Sequence, residues 1–254
     1  MIKQILYIFF ATFLTGAGSG SLHAARAQSS TDSTDTMVML YGGYSSYVRK
    51  TEYGMEGIIG DYVTEMAAKA NLNIVWANTY DQDSILRRQK ANVCYTSLIK
   101  TPERLTYVKF SDPIGQIPKY VVIASPTNKR ISQSTTLKQI MQDKNLKSEA
   151  LIGVSYGNYI DALVTGHQLQ RKQRAPKRIV DLVARNILDY TIHDELTAYQ
   201  LILVSPQSDK LKVYDHYTDL QNSVKYHIAC TLTTDDSVIT RMNKAINTMK
   251  ILEQ

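Results

Sequence analysis

Short apolar runs alternate along this chain with stretches in which apolar residues recur every three or four positions. Met37-Val-Met-Leu-Tyr41 predicts a first strand. Gly42-Gly43 then lets the backbone turn, and Tyr44 and Tyr47 project from the loop that follows. Ile58, Ile59, Tyr62, Val63, Met66, Ala67 and Ala70 fall on one face of an amphipathic helix. Leu72-Asn-Ile-Val-Trp76 reads as the next strand. A helix through Ile85 and Leu86 follows, capped by Asp81 or Asp83, and then a short strand at Val93-Cys-Tyr95. The order β-α-β-α-β predicts a parallel sheet with helices on its faces.

A second series begins at the strand Tyr120-Val-Val-Ile-Ala124. Thr135 or Thr136 caps a short helix through Ile140, and Leu151-Ile-Gly-Val154 predicts a strand. Ser155-Tyr-Gly-Asn-Tyr159 turns into a helix that runs to about Leu169, and Ile179–Val183 continues helical. Tyr190-Thr-Ile192 is a strand ending at His193-Asp-Glu195, with a helix over Leu196–Val204 behind it. A short strand at Leu211–Tyr214 and a late one at Tyr226–Cys230 follow. Asp235 or Asp236 caps a final helix carrying Val238, Ile239, Met242, Ala245, Ile246 and Met249. The pattern is two α/β units, with a closing strand and helix placed to return to the first.

At 254 residues, 44% hydrophobic and 20% charged, the chain has the composition of one large or two small folded domains rather than of a disordered protein. Its start is different. Lys3, the apolar run Ile5–Leu14 and the small residues ending in Ala25-Arg-Ala27 have the form of a secretory signal peptide, with cleavage expected before Gln28. The apolar run is too short for a stable membrane anchor. Residues 28–36 are rich in Ser, Thr and Asp and read as a flexible leader. Removing residues 1–27 takes away Lys3 and Arg26 and no acid, so the formal charge falls from +6 to +4. That mild balance implies neither a nucleic-acid partner nor a polybasic membrane anchor. The basic stretch Arg171–Arg178 has no interleaved aromatics and reads as a solvated linker. His167, His193, His216 and His227 show no metal-ligand spacing. Cys94 and Cys230 both lie in apolar segments. A disulfide suits an oxidising compartment, and buried free thiols suit the same segments.

The most specific stretch is Lys100-Thr-Pro-Glu-Arg104, followed by Phe110-Ser-Asp-Pro113. Pro102 fits the first turn of a helix, Thr101 its N-cap, and Arg104 then sits where a strand gives way to a helical turn. A guanidinium there can take a carboxylate with two parallel hydrogen bonds. Ligands of parallel α/β sheets bind beyond the carboxyl ends of the strands. Tyr41–Tyr47, Tyr80 and Thr96–Arg104 all fall at such ends.

These segments, in this order, resemble the extracytoplasmic solute-binding proteins of the amino-acid-binding type, the two-lobed receptors of ABC importers. The likeness covers nearly all of the mature chain. Gly57–Ala70 is similar to the family's first helix, and Thr101–Arg104 with Phe110–Pro113 to its signature. Ile152-Gly-Val-Ser-Tyr-Gly157 is similar to the turn that opens the second lobe's site, and Leu188–Asp194 to a strand ending in a ligand-facing aspartate. The resemblance implies a type II periplasmic-binding-protein-like α/β fold, each lobe a mixed sheet flanked by helices. Lobe 1 would comprise 37–119 and 225–254, and lobe 2 would comprise 120–224, with hinges near Ile117–Tyr120 and Val224–Tyr226. Arg104 would grip a ligand carboxylate and Asp194 an ammonium. Tyr80 would wall the ligand's side chain, opposed by Tyr44 or, with a small shift, by Tyr41 or Tyr47.

Thr96 and Ser97 stand for the family's small hydroxyl residues, and Asn158 and Tyr159 replace its usual Ser-Thr pair. The resemblance also places Cys94 and Cys230 in one lobe's sheet. The implied function is capture of a small carboxylate-bearing ligand in the periplasm, by a monomer without enzymatic activity or cofactor, for an inner-membrane ABC permease. A periplasmic dehydratase of the cyclohexadienyl type on the same scaffold is the alternative. It would need a glutamate three residues after Asp194, where this chain has Thr197. A ligand-sensing receptor without a transporter is a further alternative.

Overall fold

A computed structural model describes residues 35–42, 47–52, 54–79, 81–117, 119–220 and 223–252. The signal-peptide and leader expectations up to residue 34, and the readings of Tyr44 and Tyr80, lie outside the described residues.

The elements in order are β1 (Asp35–Tyr41), β2 (Arg49–Thr51), β3 (Gly54–Glu56), α1 (Ile58–Lys69), β4 (Leu72–Asn78), α2 (Gln82–Arg87), β5 (Val93–Ile99), β6 (Val108–Ile117) and β7 (Tyr120–Ala124). There follow α3 (Lys129–Gln133), α4 (Leu137–Gln142), β8 (Ala150–Leu151), α5 (Asn158–Gly166), β9 (Arg171–Lys172), α6 (Pro176–Ala184) and β10 (Tyr190–Asp194). The chain ends with α7 (Glu195–Leu203), β11 (Lys212–Tyr214), β12 (Val224–Thr231) and α8 (Asp236–Ile246).

Five strands form the first sheet, in the order β4-β1-β5-β12-β6. β1 pairs in parallel with β4 and with β5, while β12 runs antiparallel to both β5 and β6. Strand alternation divides β1 between two cores. Met37, Met39 and Tyr41 meet α1 and α8 on one face. Leu40 points to the other face with Leu86, Val93, Leu98 and Val108.

The second sheet, β10-β7-β11, is antiparallel throughout. Its central strand β7 is buried along its whole length and splits the same way. Tyr120, Val122 and Ala124 join Ile140 and Ile160, whereas Val121 and Ile123 join Ile179, Val183 and Ala198. The chain leaves the first sheet at the end of β6 and returns to it at the start of β12, so it crosses between the sheets twice.

The structure departs from the sequence reading in several places. β1 begins at Asp35, inside the expected leader, because Asp35 and Thr36 continue the ladder with Leu72 and Asn73. The expected strand through Val154 is only β8, since the chain turns at Gly153 with φ 75°. β6 was not expected. The sequence reading assigned no element to Phe110-Ser-Asp-Pro113, and a proline argues against a central strand, but proline is tolerated on an edge strand beside an irregularity. β6 is such an edge, and its register with β12 shifts between Tyr226 and His227, opposite this segment. Nor is the basic stretch a free linker. Arg171 begins β9, donates from Nη1 to the carbonyls of Leu151 and Val154 at 3.0 and 2.7 Å, and pairs with Asp161 at 3.2 Å. Arg174 pairs with Glu149, and Pro176 opens α6.

Candidate functional site

A cavity of about 240 Å³ lies between the two sheets. Tyr47, Gln82, Tyr95, Ser97 and Arg104 line it from the first side, and Gly153, Tyr156, His193, Asp194 and Thr197 from the second.

Arg104 opens a 3-10 turn that follows β5. Thr101 holds that turn, its hydroxyl accepting the Arg104 N–H at 3.2 Å. Arg104 is 6% exposed, and its guanidinium is already engaged. Nη1 donates to the Ile99 carbonyl at 2.9 Å and Nη2 to the Gly153 carbonyl at 2.8 Å, while Nε lies 3.8 Å from Asp83 Oδ1. A guanidinium has five N–H groups, so these two hydrogen bonds leave three for other acceptors.

The Gly153 carbonyl also accepts from Gln82 Nε2 at 2.8 Å. Gln82 is the first residue of α2, which Asp81 caps by accepting the Ser84 N–H. A Cβ on Gly153 would stand 2.9 Å from Gln82 Nε2. The close approach and the positive φ therefore both select glycine at this turn.

Asp194 ends β10 and caps α7, its Oδ1 accepting the Thr197 N–H at 2.9 Å. The Tyr47 hydroxyl donates to the same oxygen from the first side. Among the described residues no hydrogen bond reaches Oδ2. Burial and the Asp194 charge push the Tyr47 pKa upward, and burial pushes Tyr95 up to about 12. Both phenols therefore keep their protons at neutral pH, and the Tyr47 hydroxyl stays a donor to Asp194. Lys119, between β6 and β7, pairs with Glu195 at 2.9 Å.

His193 lies beneath this group, 6% exposed, its Nε2 3.2 Å from the Thr191 hydroxyl. Burial lowers its pKa from 6.5 to about 4, against an opposing pull from Asp194. The folded chain thus resists a proton that the unfolded chain accepts near pH 6.5. Stability should be level above that pH and should fall as pH drops toward about 4. His227 is lowered too, mainly by burial, and adds to the same slope. Urea unfolding at pH 7 and pH 5 should show the loss, reduced in His193→Gln. An identical loss in that variant would clear His193 of the effect.

The residues singled out in the sequence fall in different places. Ser97 faces the cavity. Thr96 does not, because β5 extends to Ile99 and its alternation turns Thr96 into the core at 1% exposure. Asn158 and Tyr159, at the start of α5, line a second cavity of about 390 Å³ with Lys100, Asp219, Lys225 and His227. The Tyr159 hydroxyl donates to Asp219 Oδ2 at 2.7 Å. Ile99, Tyr120 and Tyr156 are shared by both cavities. Of the tyrosines weighed as the opposing wall, Tyr47 reaches the first cavity. Tyr41 is buried edge-on against Trp76.

Gln82 escaped the sequence reading; its only signal was its place directly after a helix cap. Cys94 and Cys230 face each other across β5 and β12 and are joined as a disulfide. Among the described residues no group of three His, Cys, Asp or Glu side chains is placed to hold a metal ion.

Residues 41–251 match the family of bacterial extracellular solute-binding proteins, family 3. The chain belongs to that family, which makes it an extracytoplasmic solute-binding protein. No curated protein matches it. Among solved structures, it is similar to an ancestral arginine-binding protein bound to arginine, at 16% identity and TM-score 0.68, over 84% of this chain and 92% of that one. A histidine kinase sensor domain with similarity to periplasmic binding proteins gives 14% identity and TM-score 0.69, over 85% and 91%. An ancestral amino acid-binding protein, described as a precursor of cyclohexadienyl dehydratase, gives 14% and 0.64, over 84% and 89%. At these identities the likeness establishes the fold: two lobes of the periplasmic-binding-protein type, each a mixed α/β layer.

Proposed function

We propose that the protein captures a small carboxylate-bearing ligand, an amino acid or a close derivative, in the cavity between its lobes. One observation carries this reading. Arg104 and Asp194, a cation and an anion with hydrogen-bonding capacity to spare, line the same cavity from opposite lobes. A zwitterion needs such a fork of donors at one end and a fixed acceptor at the other. In this reading lobe 1 is 37–119 with 225–254 and lobe 2 is 120–224. The signal peptide is cleaved before Gln28, and the monomer works in the periplasm, delivering ligand to an inner-membrane ABC permease. The similar amino-acid-binding structures support this ligand class.

Two other readings have an observation each. The histidine kinase sensor domain of the same fold supports ligand sensing without transport. The dehydratase precursor supports an enzyme on this scaffold. Against the enzyme, the position three residues after Asp194 is Thr197, whose N–H donates to Asp194 and whose side chain brings no carboxyl group.

Isothermal titration of ligand-free protein against the common amino acids tests the proposal. Binding of at least one is expected, with Asp194→Asn weakening ligands that carry an ammonium group more than those that do not. No heat from any of them would remove the amino-acid reading. Turnover of prephenate or arogenate would replace binding by catalysis.

A further inference from the structure

Among the described residues, and apart from Lys119 at the crossing, which pairs with Glu195, three side chains of the first lobe reach across the cleft and bond the second lobe directly. The Tyr47 hydroxyl donates to Asp194 Oδ1, while Gln82 Nε2 and Arg104 Nη2 converge on the Gly153 carbonyl, each at 2.8 Å. We infer that these groups form a built-in latch, so that the resting, ligand-free protein is closed and a ligand enters by waiting for the latch to open.

The contacts come from three separate segments: the loop after β1, the start of α2 and the turn after β5. They meet two separate segments of the other lobe. Such convergence fixes the relative position of the lobes rather than tethering them at one point. Gly153 is suited to this role by its backbone. With φ 75° it turns its carbonyl toward the other lobe, and the lack of a Cβ lets Gln82 approach. Gln82 lines the ligand cavity, and its bond to the Gly153 carbonyl also ties the start of α2 to the second lobe.

The consequence concerns what a ligand contributes. A ligand shifts an open–closed equilibrium only by binding one state better than the other. Where closure needs a ligand to bridge the lobes, the unliganded protein stays open. Here the protein's own donors supply the bridges. Since Tyr47 and Thr197 both occupy Asp194 Oδ1, a ligand cation would be received at Oδ2 without displacing the latch.

Small-angle X-ray scattering of ligand-free protein tests this. The protein is stripped by unfolding and refolding with its disulfide intact, and native mass spectrometry verifies that no small molecule remains. The wild type is expected to scatter as the closed structure. The double variant Tyr47→Phe/Gln82→Glu, which removes one donor and turns another into an acceptor facing the Gly153 carbonyl, is expected to shift to a larger radius of gyration. Circular dichroism checks that the variant is folded, and Gln82→Ala alone, with a smaller shift expected, serves if it is not. A stripped wild type already as expanded as the double variant would overturn the inference, as would folded variants that stay as compact as the wild type. No ligand enters the readout, so either failure leaves the solute-binding proposal standing.

Discussion

Replacing Arg104 by alanine is expected to abolish ligand binding and to lower stability at the same time. The guanidinium is nearly inaccessible to water and holds two backbone carbonyls, one in each lobe. Losing two hydrogen bonds made by a charged group, at about 1.5 kcal/mol each, costs about 3 kcal/mol. For a chain of this length that lowers the melting temperature by roughly 6–12 °C. Binding suffers separately. Removing one partner of a desolvated charge pair costs roughly 2–5 kcal/mol, or about 30- to 5,000-fold in Kd. Arg104→Lys keeps the charge but loses the planar fork that spans Ile99, Gly153 and a ligand carboxylate, so it should still bind severely less well. Calorimetric melting and titration of both variants separate the two effects. Unchanged affinity in a folded Arg104→Ala protein would reduce Arg104 to a structural clamp.

The second large effect is expected from the disulfide. Cys94 and Cys230 lie 136 residues apart in sequence, directly opposite one another in β5 and β12, and both are fully buried. Every element of the second lobe lies within the loop they close. Loop-closure entropy for that span gives about 5 kcal/mol. The double variant Cys94→Ala/Cys230→Ala should therefore melt roughly 10–20 °C lower. Thiol titration of the denatured, unreduced wild type should find no free thiol. Two thiols, together with a double variant as stable as the wild type, would contradict this.

Much of the scaffold was legible because its signals are local. The three- and four-residue spacing from Ile58 to Ala70 yields α1, and the caps at Thr136 and Asp235 sit where polar residues precede apolar helices. Thr101 and Arg104 fell at the expected turn for the same reason, a proline and a charge close behind a hydroxyl, but the helical turn opens at Arg104 with Glu103 as its N-cap rather than at Pro102 with Thr101. What was not legible depends on partners distant in sequence. β6 was not assigned from its own residues, and it forms because β12 returns to pair with it more than a hundred residues later.

Thr96 and Ser97 are chemically alike and adjacent. Only the extent of β5 decides that one faces the core and the other the cavity. Asn158 and Tyr159 sit at the start of α5 as expected, but the side walls formed by Ile99, Tyr120 and Tyr156 put them in a separate compartment. The bonds from Tyr47, Gln82 and Arg104 to the opposite lobe leave no mark in sequence spacing, because each joins segments brought together only by the two crossings between sheets.

The claim that most needs a direct test is that the cavity between Arg104 and Asp194 is the ligand site. A crystal structure of the protein isolated from its native cells, with its native ligand retained, provides that test. The expected result is a small molecule in the first cavity, with a carboxylate on the remaining N–H groups of Arg104 and a nitrogen facing Asp194 Oδ2. A ligand seated only in the second cavity, among Lys100, Asn158 and Lys225, or one that touches neither Arg104 nor Asp194, would contradict it.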